Sequence, residues 1–179
     1  MELSLLPHPD FPNSATRSIS VEVSQAQDCL TLVYRVDGEI GDILWPLPGA
    51  GGRADRLWEH SCFEAFIAPV GGAAYTEINL ATSGQWAVYD FDGYRAGMTP
   101  VERISFALGR SFKPDHITFS AVTHLPVLEN GSEWRLGLTA IIEAKDGSKS
   151  YWALAHPPGK PDFHNADCFT ARLAAPERA

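Results

Sequence analysis

Cysteine is scarce in this chain, and long apolar runs are absent. Among 179 residues there are three cysteines, Cys29, Cys62 and Cys168. They are odd in number, far apart and form no CxxC pair, which removes a disulfide framework and the usual zinc spacings. Three reduced thiols acting as small apolar fillers are expected. No stretch approaches the ~18 apolar residues of a membrane span, and the opening MELSLLPHPDFPNS lacks a basic leader followed by an apolar block. The expectation is a cytoplasmic protein without a membrane partner. Positive charge is also short: 14 Lys and Arg stand against 22 Asp and Glu, a net charge of -8, with no basic cluster. Anionic polymers are repelled overall, so no nucleic-acid partner is expected.

Helical periodicity is missing as well. No segment sustains an apolar stripe at helical spacing over three turns, whereas period-two alternation is widespread. Ile19, Val21 and Val23 alternate with polar residues. Leu30, Leu32, Tyr34 and Val36 repeat the pattern after a turn at Gln27-Asp28, giving an opening antiparallel hairpin. Further strands are expected over 57–68, 75–81, 85–91, 103–108, 116–125, 134–142, 150–155 and 168–173. Gly71-Gly72, Ser83-Gly84, Asn130-Gly131 and Asp146-Gly147 mark turns between them. The class is therefore all-β, an antiparallel β-sandwich or jelly roll. With no linker, repeat or low-complexity tract, residues 1–179 read as a single domain. The Gly-rich PLPGAGGRADR lacks GxxxxGK[ST] and reads as a mobile surface loop rather than a phosphate cradle.

Parity along YTEINLATSGQWAVYD, residues 75–90, proposes a site. A two- or four-residue loop at Ser83-Gly84 pairs Asn79 with Val88 and Glu77 with Asp90. Ile78, Leu80, Ala87, Tyr89 and Phe91 then face the core, and Glu77, Asn79, Trp86 and Asp90 the other side. In LWEHSCFEAFIAP, Phe63, Ala65 and Ile67 are apolar, while Trp58, His60, Cys62, Glu64 and Phe66 share the opposite side. An ordinary solvated face carries few large aromatics. Indole rings among carboxylates and amides suit a sugar, whose C–H faces stack on rings while its hydroxyls hydrogen-bond. Packing of either tryptophan beneath another sheet or a loop is the competing account.

The segments RLWEHSCFEAFIAP, YTEINLATSGQWAVYDFDGYRAGM and YWALAHPPGKPDFHNADCF resemble bacterial DOMON-like proteins, relatives of the family 9 carbohydrate-binding modules. The resemblance implies a β-sandwich of jelly-roll or immunoglobulin-like type, with sugar ligands in some branches and haem in others. It matches the family's strand acid to Glu64 and its Glu-x-Asn pair to Glu77 and Asn79. It also implies two rings clasping the sugar, drawn from Trp45, Trp58, Trp86 and Trp152. The haem branch implies Met98 with His156 or His164 as axial ligands; the expectation here is no cofactor.

Other chemistries have weaker support. HPPGKPDFHNADCF gathers His156, Asp162, His164 and Asp167 without a recognised metal spacing. It reads as a rigid connection in which Asp162 and Asn165 cap turns and His164 bonds a backbone carbonyl. No GxSxG elbow is present, and Cys62 sits within a strand. Glu64 and Glu77 on neighbouring strands leave a glycoside-active enzyme as one alternative, and a protein-interaction domain as another. The reading adopted is a non-catalytic binding domain for a sugar-like small molecule. Trp58 and Trp86 stack, Glu64, Glu77 and Asn79 bond hydroxyls, and Arg95 forms a charged fork at the rim.

Overall fold

Alternating side chains become strand almost wherever the sequence shows them, because each half-buried strand needs one face for the core. The computed structural model describes residues 1–26, 28–125, 128 and 133–173. Its strands are β1 (Glu2–Pro7), β2 (Thr16–Ala26), β3 (Cys29–Gly38), β4 (Gly52–Arg53), β5 (Cys62–Pro69), β6 (Tyr75–Leu80) and β7 (Gln85–Phe91). They continue with β8 (Thr99–Pro100), β9 (Phe106–Phe112), β10 (His116–His124), β11 (Trp134–Glu143), β12 (Lys149–Ala153) and β13 (Ala171–Leu173). The all-β class is as expected. Gln27 and the turn expected at Asn130-Gly131 lie outside the described residues.

Hydrogen bonding follows one path, β4-β7-β6-β5-β11-β12-β1-β2-β3-β10-β9, with β8 added to β7 and β13 to β11. β1, which the sequence reading omits, joins the two halves. Glu2 to Leu5 pair with β2, whereas Leu6 and Pro7 pair with β12. The sheet curls so that the halves face each other across one core. Phe63 on β5 stacks at 5.0 Å on Phe119 of β10 and lies 4.7 Å from Tyr34 of β3. The Tyr34 hydroxyl, fully buried, donates to the Glu64 carbonyl at 2.7 Å, which satisfies the polar end of an otherwise apolar ring. The three cysteines are free. Among the described residues no helix is long and apolar enough to cross a membrane.

Several expected boundaries shift for local reasons. The strand over 57–68 splits into a 3-10 turn at Leu57–Glu59 and β5, because Arg56 adopts a left-handed backbone (φ 62°) that breaks extension. The strand over 168–173 shortens to β13, behind a 3-10 turn at Ala166–Cys168 that Asn165 caps through Asp167 N–H at 2.9 Å. The Gly-rich stretch is anchored rather than loose: Gly52 and Arg53 pair in parallel with Gln85 and Trp86, and Gly49 N–H donates to the Ser83 carbonyl.

The β6–β7 hairpin corrects the parity argument. Its loop has three residues, Thr82 to Gly84, with Gly84 N–H bonded to the Ala81 carbonyl and Gly84 at φ 92°. This is the three-residue hairpin that needs a left-handed third position. Asn79 therefore pairs with Ala87 and Glu77 with Tyr89. A one-residue slip exchanges the faces of a whole strand. Tyr89 and Phe91 thus share a face with Glu77, while Trp86 and Asp90 lie on the reverse.

The reverse face carrying Phe63, Ile78 and Val88 is the main core, and the Glu77 face has its own cover. Phe66, Tyr75, Tyr89, Phe91 and Ile141 form a second apolar cluster with Phe163, Cys168 and Phe169 from the chain after β12. Phe169 stacks on Phe66 at 5.5 Å, and it can approach because β11 offers Gly137 there. A Cβ at Gly137 would meet the Phe169 ring at 2.5 Å. Gly137→Ala is expected to cost about 1–3 kcal/mol through overpacking, seen as a fall in melting temperature of roughly 3–10 °C. An unchanged melting temperature would contradict this seating of Phe169.

Candidate functional site

Between the outer face of β5, β6, β7, β11 and β12 and the segment after β12 lies a cavity of about 460 Å³. β5 contributes Glu64 and Phe66, β6 contributes Glu77, and β7 contributes Tyr89 and Phe91. Ile141, Tyr151, Phe163 and His164 complete the walls, with Trp58, Arg95, Met98 and Pro161 towards the outside. The rings make most of it apolar; the strand alternation places two acids in its floor.

Those acids are deeply buried, Glu64 at 3% and Glu77 at 5% exposure. Glu64 pairs across the sheet with Asn79 and Phe66 with Glu77, so the two acids are diagonal neighbours, about 7 Å apart by sheet geometry. Thr139 Oγ1 donates to Glu64 Oε2 at 2.8 Å, and Asn79 Nδ2 donates to Glu77 Oε1 at 2.6 Å. Asn79 is itself fully buried and accepts the Cys62 thiol at 3.8 Å. Burial, reinforced by repulsion from Glu77, pushes Glu64 up to about 8, against the pull of Thr139 and Arg95. Burial also raises Glu77, opposed by Asn79 and Arg95. At neutral pH the pair therefore holds a proton.

A second layer of polar contacts fixes the wall facing these acids. His164 Nδ1 takes the Tyr75 hydroxyl at 2.7 Å, and that oxygen accepts the Arg95 backbone N–H at 3.3 Å. Assigning the hydroxyl proton to Nδ1 leaves the ring proton on Nε2, which stands 3.8 Å from Glu77 Oε2. Burial, then the Arg95 charge, lower His164 to about 4, so the ring is neutral. The Arg95 guanidinium bonds Asp162 at 2.8 Å, and the Tyr94 hydroxyl bonds the same carboxylate at 2.7 Å. Burial opposes ionisation of Asp162, but these two donors hold it below the usual carboxylate range. On the opposite wall Tyr89 donates to Asp55 at 2.5 Å beneath the Arg53 guanidinium.

Two non-glycine residues among those described have left-handed backbone, Arg56 and Arg95 (φ 62° and 51°). Arg56 turns the chain into the 3-10 segment that presents Trp58, and Arg95 sits in the loop after β7. Such conformations cost on the order of 1–3 kcal/mol and persist where surroundings enforce them. Here both set the position of a side chain that lines the cavity.

Of the residues singled out by sequence, Trp58, Glu64, Glu77 and Arg95 line one cavity and Asn79 supports its floor. Trp58 is 36% exposed and meets Tyr89 edge-on at 6.1 Å. Trp86 is elsewhere. It lies on the core face and packs against Phe106 at 5.4 Å. Asp162 holds Arg95 and Tyr94 rather than capping a turn with its side chain, and His164 bonds a tyrosine hydroxyl rather than a backbone carbonyl. Tyr89 and Phe91, core residues in the even-loop register, line the cavity in the register that forms. Tyr151 and Phe163 carried no local signal.

Met98 and His164 both line the cavity, yet His164 has Nδ1 on Tyr75 and Nε2 facing Glu77, and His156 directs Nε2 to the Leu6 carbonyl at 2.8 Å. This donor set does not fit an axially ligated haem. Among the described residues no group of three or more His, Cys, Asp or Glu is arranged to hold a metal ion. Burial pushes the Cys62 thiol up, away from nucleophilic use.

No protein-family model matches the chain, and no curated protein matches it. Solved structures do. A protein from Bacteroides uniformis, proposed to bind carbohydrate, superposes with a TM-score of 0.69 at 16% identity, over 97% of this chain and 85% of its own. A family 9 carbohydrate-binding module from Caldicellulosiruptor kristjanssonii, in complex with cellotriose, gives 0.52 at 11% identity, over 95% and 85%. The likeness establishes a shared fold.

The raised acids carry a sign. A glutamate whose folded value lies near 8, against about 4.3 unfolded, gives stability that is fully present below the unfolded value and lost as pH rises through the folded one. Glu64→Gln mimics the protonated acid, so its stability relative to wild type should rise between about pH 5 and pH 9 by on the order of 1–3 kcal/mol. Urea denaturation at the two pH values measures this; parallel loss in both proteins would contradict it.

Proposed function

We propose that the chain is a single-domain, non-catalytic binding protein for a small sugar-like molecule, seated in the cavity above Glu64 and Glu77. The observation that carries this is the composition of the cavity. The rings of Trp58, Tyr89 and Phe91 line, together with two acids, one of them braced by a buried amide, a space of about 460 Å³. A sugar presents C–H faces to rings and hydroxyls to such acceptors. A protonated Glu64 also donates, so the floor can meet hydroxyls of either polarity. Trp58 and Arg95 stand at the mouth.

The fold supports the same reading: the module from C. kristjanssonii was solved with cellotriose, and the B. uniformis protein is itself proposed to bind carbohydrate. On this account the curled sheet is a β-sandwich variant of jelly-roll type, and the chain belongs with the DOMON-like relatives of those modules. Hydrolysis by Glu64 and Glu77 is the second reading, favoured by their diagonal placement and the raised acid.

A thermal-shift panel of mono- and disaccharides tests binding. A ligand at about a hundred times its dissociation constant adds roughly 2.7 kcal/mol, or about 5–10 °C. The shift should be confined to one sugar class and lost in Trp58→Ala. A flat panel would contradict sugar binding, and release of reducing sugar from a bound glycoside would favour the enzyme.

A further inference from the structure

The charges around the cavity do not balance. Glu64 and Glu77 stand against two arginines that are already engaged, Arg95 with Asp162 at 2.8 Å and, on the opposite wall, Arg53 with Asp55 at 2.7 Å. His164 adds no positive charge, since its Nδ1 serves Tyr75 and burial keeps the ring neutral. Glu64 is 3% exposed, receives only the Thr139 hydroxyl on Oε2, and has no donor on Oε1 among the described residues. Its carboxylate lines the cavity. A buried carboxylate without a counter-ion either takes a proton or receives a cation from outside.

The surrounding walls favour the cation. Trp58, Phe66, Tyr89, Phe91, Tyr151 and Phe163 line the same cavity as the acids, and aromatic rings attract an ammonium most strongly when water is excluded. We infer that the ligand carries a positively charged amine, that it is an unacetylated amino sugar, and that its ammonium sits over Glu64 and Glu77 within this ring of aromatics. The inference rests on the sugar-binding reading and names the class of sugar. The ammonium replaces the proton that the two acids hold in the free protein. Acetylation removes the charge and adds bulk, and a plain hydroxyl leaves the second acid uncompensated.

Isothermal titration of the full chain near neutral pH with glucosamine, N-acetylglucosamine, glucose and choline tests this. Glucosamine should bind about tenfold or more tighter than glucose and N-acetylglucosamine, as a charge-assisted contact requires. That preference should collapse in Glu64→Gln, an isostere that keeps the Thr139 contact. Equal affinity for the three sugars would overturn the amine while leaving the sugar reading intact. Choline binding without any sugar binding would keep the cation site and overturn the sugar. Binding of none would overturn both.

Discussion

Two carboxylates placed diagonally on adjacent strands, out of water and without a bonded cation, impose the main constraint on this molecule. Desolvating a carboxylate is costly unless donors or a proton compensate. Thr139 from β11 and Asn79 from β6 answer that demand with a hydrogen bond each, while a neutral His164, held in place by Tyr75, stands 3.8 Å from Glu77. The segment after β12 is not decoration on the sheet. It brings Phe163 and His164 to the wall of the cavity that holds the acids, and its Asp162 fixes Arg95 at the mouth. The two left-handed arginines are further signs of a surface held in a less favoured shape to present Trp58 and Arg95.

The two faces of one half-sheet consequently do different work. The inner face packs Phe63, Ile78 and Val88 against the other half, and this packing supplies a rigid platform. The outer face carries the polar groups, buried but with an open cavity above them. Both faces being covered explains why β5 reads as buried throughout except at its last residue, although its residues alternate in chemistry.

Much of this was legible. Alternation marked most of the strands, and the parity of β5 placed Glu64 and Phe66 opposite Phe63 and Ala65, as the register has it. The Glu-x-Asn pair placed Glu77 with Asn79. What failed was the hairpin, because a glycine at position 84 suits an even two-residue turn as well as the odd three-residue loop that forms, so the local sequence does not choose between them. That single residue moved Trp86 and Asp90 off the site and brought Tyr89 and Phe91 onto it. β1 was missed because its alternation is brief and ends at Pro7, which cannot donate to a ladder. Tyr151, Phe163 and His164 were not legible as cavity walls, since they join β6 and β7 around the cavity from sixty or more positions away in sequence and no local pattern records that meeting.

The measurement that bears most directly on this account is carbon-detected NMR of the glutamate side-chain carboxyls of the ligand-free protein, titrated from acid to alkaline pH and assigned with Glu64→Gln and Glu77→Gln. The account predicts one carboxyl of the pair still protonated at neutral pH and titrating near 8, with its partner's shift responding in the same step. Titration of every glutamate below about pH 5, within the ordinary range, would contradict the buried, uncompensated pair on which the site is built.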